Sequence, residues 1–243
     1  MTRLFNGIVA FGSALLLAVA LIGAGYAAVA IPDAATATLS RAYSGCDQPD
    51  TPFTADELAS MAIAGKRYTF DDNDREKLDA AIAEANAAAE ADGRASASTR
   101  ESAARSLPAD AISHLDDVYR VACVAKPALA IVAALCIAGL AHVAVRIGRR
   151  ALGRTLMAGG GLVLAAFCAL GAWAAIDFDG LFAAFHSLFF QAGTWTFPYD
   201  SLLITLYPTA FWMGMGGIWL AVTCGLSILA VLIGFTLGHK QHD

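Results

Sequence analysis

The sequence predicts an all-α integral membrane protein: four transmembrane helices, a mostly helical extracellular cap, and an interfacial or re-entrant aromatic segment. Three observations predict it. Of 243 residues, 58% are hydrophobic and only 15% charged, with a mean hydropathy of +0.59, too apolar for a water-soluble domain of this size. Four uncharged apolar runs reach the roughly 20 residues that a helix needs to cross about 30 Å of hydrocarbon. The stretches between them are polar or aromatic. The formal charge of −5, from 16 basic and 21 acidic side chains, excludes a generally basic nucleic-acid surface. Five cysteines, Cys46, Cys123, Cys136, Cys168 and Cys224, are dispersed without a Cys-x-x-Cys pair, so neither a zinc ribbon nor a disulfide scaffold is indicated.

The first span is residues 7–31. Ala35-Thr36-Ala37 resembles a signal-peptide cleavage site, but the apolar run before it is longer than a signal peptide's apolar region and Arg3 is a thin basic flank, so it reads as an uncleaved anchor. Residues 32–126 form the cap. Thr54-Ala55-Asp56-Glu57 has capping-box spacing ahead of Leu58, Met61 and Ile63, with Gly65 as a stop. A second cap helix is predicted over 71–92, rich in alanine and closed by Gly93. Residues 94–105 read as a mobile Ser/Ala/Arg linker, and Leu107-Pro108-Ala109-Asp110 then starts a helix that passes His114 toward the second span, 127–145. The third span is 156–176, where Gly159-Gly160-Gly161 lets helices approach closely. An interfacial segment, 177–209, and the fourth span, 210–237, complete the chain.

Arg3, Arg146, Arg149, Arg150, Arg154 and Lys240 all fall on one face of this arrangement, which by the positive-inside rule is cytoplasmic. Both termini are then inside. The cap and the 177–209 segment, which carries Asp177, Asp179 and Asp200 but no Lys or Arg, are outside.

Of five histidines, His239 and His242 lie in the tail and His142 lies near the inner surface, where solvated or packing roles suffice. The other two stand apart. His114 precedes the second span with Asp117 on the same helical face, where a carboxylate can orient the imidazole or favour its charged form. His186 lies among Phe182, Phe185, Phe189 and Phe190 at i, i+3, i+4, i+7 and i+8 spacing. An aromatic belt at the headgroups also suits that pattern. An imidazole among aromatic rings, however, is held neutral and usable as a base. Trp195, Phe197 and Tyr199 follow, and two prolines with Asp200 argue for an irregular, protein-covered loop there. An ionisable group such as Asp200 near lipid is a functional candidate by default. No Gly-x-Ser-x-Gly elbow, His-Glu-x-x-His or phosphate loop is present, so the equipment is acid–base: two histidines delivered to one interface.

His114-Leu115-Asp116-Asp117-Val118 and Phe185-His186-Ser187-Leu188-Phe189-Phe190, then Trp195, Phe197-Pro198, Asp200-Ser201-Leu202-Leu203-Ile204 and Tyr207-Pro208, resemble the bacterial lipoprotein intramolecular transacylase family. The resemblance spans nearly the whole chain. It implies an enzyme that moves the sn-2 acyl chain of a diacylglyceryl lipoprotein onto the amine of its own N-terminal cysteine, giving a lyso-form lipoprotein. It implies His114 and His186 as the catalytic pair; the residues around them add Asp117 and Asp200 as supporting groups and Phe182, Phe185, Phe189, Phe190, Trp195, Phe197 and Tyr199 as the expected pocket. No cofactor, metal or nucleic acid is implied; the partners are the lipoprotein substrate and membrane lipids, and a monomer is expected. Tyr119 and Arg120 stand where the family usually has a Lys, and the Ala-rich stretch from Ala80 to Ala104 looks like an enlarged cap. The competing reading is a non-catalytic envelope sensor or assembly factor that binds a partner through its cap.

Overall fold

The computed structural model describes residues 2–95 and 105–239. Most of the 94–105 linker, and Lys240 and His242, lie outside the described residues. Among the described residues all regular secondary structure is helical, with no strand. In order they form α1 (Thr2–Ala30), α2 (Asp33–Tyr43), α3 (Ala55–Phe70), α4 (Arg75–Ala91), α5 (Ala109–His142), α6 (Arg149–Ile176), α7 (Phe178–Ser187), α8 (Leu202–Leu206) and α9 (Thr209–His239). A π-helical turn, Val143–Ile147, extends α5, and Gly148 at φ +114 breaks the chain before α6. Four helices are long and apolar enough to cross a membrane: α1, α5 with its π-turn, α6 and α9. At about 1.5 Å per residue, the 39 residues of α5 and its π-turn are far longer than a bilayer core. Pro127 sits inside this continuous helix.

The chain divides into two compact units. The first comprises residues 1–28, 125–181 and 218–243. Its contacts depend on small residues. A side chain at Gly159 would meet the Ala14 carbonyl at 2.8 Å, and one at Gly160 the Ser227 carbonyl at 2.7 Å, so both positions permit backbone contact between helices; Gly161 faces open space. Around them Ala18, Val163 and Phe167 are buried, Trp219 meets Phe167 edge-on at 5.2 Å, and its Nε1 donates to the Ile22 carbonyl at 3.1 Å. Ile8, Phe11, Ile131, Ile137 and Leu232 are exposed, as lipid-facing side chains of a membrane helix are.

The second unit comprises residues 29–124 and 182–217. Its core is aliphatic: Leu58, Met61, Leu78, Ile82, Ile112 and Leu115 close around Leu202, Leu203 and Leu206 of α8. The stretch read as an irregular loop therefore inserts a short helix into the cap core, capped by Ser201 Oγ, which accepts from Ile204 N. Thr54 and Glu57 complete the capping box at the start of α3. That helix does not stop at Gly65 but runs to Phe70, because Gly65 serves a close approach: a Cβ there would collide with the Tyr207 hydroxyl, which donates to the Ala62 carbonyl at 2.7 Å. The second cap helix starts at Arg75, later than its sequence pattern indicates, since Asn73 at φ +52 and the N-cap Asp74 hold the chain in a turn before it.

Helix α2 has no counterpart in the sequence reading. Asp33 in its first turn accepts from Lys66 Nζ at 2.9 Å and Arg67 Nη2 at 2.5 Å, and these cations, Lys66 first, hold its carboxyl below the usual range. The Ala35-Thr36-Ala37 triplet lies within this helix, with Thr36 buried. Both ends of the expected linker are anchored: Arg94 pairs with Glu57 at 2.7 Å, and the buried Arg105 donates to Asn86 Oδ1 at 2.5 Å and Glu90 at 2.9 Å. Cys46 and Cys123 are both free and exposed.

Candidate active site

The two histidines meet inside the second unit. His114 occupies the second turn of α5, between Ala111, Ile112 and Leu115 of the buried face, and is itself only 8% exposed. The part of α5 up to Val124 belongs to the second unit, separate from the apolar stretch of the same helix that suits lipid. His186 closes the last turn of α7. Its ring stacks on that of His114, with centroids 6.2 Å apart and planes inclined by 30°.

Aromatic rings enclose the pair. His114 meets Phe190 edge-on at 4.9 Å and Phe197 at 5.6 Å. His186 meets Phe182 at 4.0 Å, Trp195 at 4.9 Å, Phe185 at 5.7 Å and Phe190 at 5.7 Å. The helical spacing of the phenylalanines reads only in part as a helix, since α7 ends at Ser187. The His186 carbonyl accepts from Phe189 N and Phe190 N at 3.1 and 2.9 Å, a turn that brings Phe190 back over both imidazoles.

The hydrogen bonding assigns the His186 tautomer. Its Nδ1 lies 2.8 Å from the Phe182 carbonyl, which can only accept, so Nδ1 carries the proton and Nε2 of the neutral ring presents its lone pair. Burial pushes the His186 imidazole below its ordinary value, partly opposed by that hydrogen bond. His114 is pushed further, to about 4, by burial first and then by His186, with Asp117 pulling the other way. Both rings are therefore neutral at pH 7. His114 Nδ1 and Trp195 Nε1 are buried without a hydrogen-bond partner among the described residues.

The remaining candidates lie farther out. Asp117 forms an exposed ion pair with Arg120 at 2.5 Å and makes no hydrogen bond to His114. Phe189 stacks with Phe185 and Phe190 but with neither histidine. Tyr199 is 63% exposed; its hydroxyl donates to the Asp47 carbonyl at 3.4 Å and its carbonyl accepts from Gln48 Nε2 at 2.8 Å, so it braces the loop. Asp200 is exposed beside it. The sequence reading gave Tyr207, quoted there only as part of a motif, and Trp212 no place at the site: Trp212 backs Phe182 at 5.9 Å and meets Tyr207 at 5.9 Å. A Tyr-x-x-x-Phe-Trp pattern at the mouth of the last apolar run was the available signal. His142 in the first unit packs against Phe5, and His239 against Phe235. Among the described residues no cluster of three His, Cys, Asp or Glu side chains converges on a metal-sized site.

Comparison with known proteins places this geometry. The model of the family Lit, lipoprotein intramolecular transacylase, matches residues 94–212, a stretch containing both histidines and the aromatic loop. A crystal structure of the membrane-integral lipoprotein intramolecular transacylase Lit from Bacillus cereus shares the fold, with a TM-score of 0.73 at 18% identity over 97% of each chain. Two variants of that protein, with one histidine replaced by arginine or by alanine, align with TM-scores of 0.68 and 0.69 at 17% identity, covering 98% of this chain and 94% and 96% of theirs. No curated protein sequence matches. Over residues 94–212 the chain is thus similar to the lipoprotein intramolecular transacylase family, and as a whole it shares the fold of a membrane-integral protein with four apolar helices.

Proposed function

We propose that the chain moves the sn-2 acyl group of a diacylglyceryl-modified lipoprotein to the α-amine of the same molecule's N-terminal cysteine, with His114 and His186 as the catalytic pair. The observation that carries this reading is the stacked, neutral histidine pair inside an aromatic enclosure, with Nε2 of His186 free to accept a proton.

The α-ammonium of a lipoprotein, with a pKa near 8 in water, must lose a proton before it attacks. That first proton goes to water, and His186 Nε2 takes a second one from the nitrogen as it adds to the sn-2 carbonyl carbon. The bond between that carbon and the glycerol oxygen then breaks. A proton delivered through His114 ends on the departing oxygen, leaving an amide and a free hydroxyl. One ester is exchanged for one amide within one molecule, so the mass does not change. Nucleophile and electrophile share a substrate, so effective molarity supplies much of the rate once the pocket folds the substrate into a reactive ring. Phe182, Phe190, Trp195 and Phe197 keep out the water that would hydrolyse the ester. Phe185, Phe189 and Tyr199 border the pocket, Asp117 acts on His114 from a distance through charge, and Asp200 supports the loop beside Tyr199.

The one-sided placement of Arg3, Arg146, Arg149, Arg150, Arg154 and Lys240 supports cytoplasmic termini with the cap and active site outside. A monomer suffices for this reaction, with 7–31, 127–145, 156–176 and 210–237 as the membrane-embedded stretches and 32–126 and 177–209 as the outer ones.

Purified chain given a diacylglyceryl lipopeptide with a free N-terminal amine, and nothing else, should yield a product of equal mass whose fragment ions carry the acyl chain on the cysteine nitrogen. Release of free fatty acid would make the chain a lipase. No reaction by a folded chain would favour the non-catalytic sensor.

A further inference from the structure

An acyl transfer through a tetrahedral intermediate needs more than proton carriers: the carbonyl oxygen becomes an oxyanion and requires a donor that keeps its proton throughout. His114 and His186 both exchange protons in the proposed cycle, so neither is suited to hold that charge while it moves a proton. Among the described residues, the Trp195 indole carries a further polar group beside the pair. Trp195 lies against His186, with ring centroids 4.9 Å apart and planes 33° apart, and its Nε1 is buried without a hydrogen-bond partner among the described residues. An indole N–H can only donate, and native structures rarely leave a buried donor orphaned, so its natural partner is an acceptor brought by a ligand. The contrast with Trp219, whose Nε1 donates to the Ile22 carbonyl, makes the orphaned Trp195 informative: this chain does pair an indole where no ligand is in question.

The local backbone holds Trp195 in place. Gly193 at φ +87 adopts a conformation that favours glycine, and Thr194 closes the turn by donating both its amide, at 3.2 Å, and its hydroxyl, at 2.9 Å, to the Gln191 carbonyl. The indole is thus presented by a fixed turn and not by a free loop end.

We propose that Trp195 is a third catalytic residue, whose Nε1–H donates to the sn-2 carbonyl oxygen and stabilises the oxyanion that forms as the amine attacks. This rests on the transacylase reading above. The ester carbonyl is the acceptor that a diacylglyceryl substrate carries to the reacting carbon, and the hydrogen bond strengthens as charge develops on it. Trp195 neither gains nor loses a proton, which leaves His186 to accept from the amine and His114 to serve the leaving oxygen.

The test is to replace Trp195 by Phe and, separately, by 3-benzothienylalanine, which keeps the fused ring but puts sulfur where the N–H was. Steady-state rates on the diacylglyceryl lipopeptide are compared with melting temperatures in the same detergent. Both variants should lose roughly 100-fold in kcat, the scale for one oxyanion donor, with KM within about twofold of wild type. The benzothienyl variant should melt like wild type, which separates a lost donor from a lost ring. If its kcat stays within about threefold, or if KM alone rises because the indole binds the peptide equally in ground and transition states, the proposal is wrong. Failure of the unaltered chain to N-acylate the lipopeptide would instead sink the transacylase reading.

Discussion

The membrane-helix unit and the cap unit are held together by different contacts. In the unit made of 1–28, 125–181 and 218–243, glycines at 153, 159, 160 and 234 bring backbones together, while many of its large apolar side chains point outward. In the unit made of 29–124 and 182–217, large aliphatic side chains fill the centre, helix ends are capped, and buried cations are paired. The difference follows from the solvent. Lipid tails are as apolar as leucine, so burying leucine between membrane helices gains little and close backbone approach carries the packing. A water-facing cap instead draws its stability from removing apolar surface from water. The histidine pair belongs to the second kind of environment, where the burial that packs the core also keeps both imidazoles neutral.

Breaking the site should have the largest effect. His114→Ala or His186→Ala should each lower the initial rate of lipopeptide conversion by roughly two to four orders of magnitude, the scale for one acid–base group. His186→Ala should leave the melting temperature nearly unchanged, because that ring is only partly buried.

The packing contrast can be broken on either side. Leu78→Ala in the cap core should cost about 2–5 kcal/mol, seen as earlier hydrogen exchange in α3 and α4. Gly160→Val forces a side chain against the Ser227 carbonyl and should cost about 1–3 kcal/mol by overpacking, with the loss confined to protection of the membrane helices. If Gly160→Val has no effect and Ile137→Ala, which removes an outward-facing side chain, does, the small-residue account is wrong.

A smaller effect sharpens the electrostatic side. The folded His114 titrates near 4 and the unfolded one near 6.5, so between these values the unfolded chain binds the proton more readily. The stability linked to His114 is therefore full above pH 6.5 and is lost as pH falls toward 4. The drop in melting temperature from pH 7 to 4.5 should be smaller in His114→Phe than in the parent. Catalysis should follow the same direction, falling once pH drops through the lowered value of His186, because the base is then occupied. Equal pH slopes for parent and variant would contradict the burial argument. Smallest of all should be Asp117→Ala: its carboxylate pairs with Arg120, and a change of only a few-fold in rate is expected.

The membrane helices were legible in the sequence because lipid imposes one simple requirement, a run of about 20 uncharged apolar residues. The cap was legible where a local signal exists, as in Thr54 and Glu57. It was not legible where tertiary contacts decide. Gly65 resembles a stop until Tyr207, far along the chain, is seen to lie over it. Helix α2 depends on Asp33 meeting Lys66 and Arg67, which no local pattern reveals. At the site, the histidines and most of their aromatic neighbours stand out by composition. The turn after Ser187 that moves Phe190 onto both rings, the engagement of Asp117 by Arg120 and the backing of Phe182 by Trp212 are three-dimensional facts.

Intramolecular transfer is the central claim, and a crossover experiment tests it most directly. Two lipopeptides of different sequence, one with light and one with deuterated acyl chains, are mixed in equal amounts with the purified chain, and the N-acylated products are read by mass spectrometry. The account predicts that every product keeps the isotope of its own parent. Products carrying the other peptide's acyl chain would mean that the acyl group leaves one substrate before meeting another amine, and would contradict a mechanism built on folding one molecule around the histidine pair.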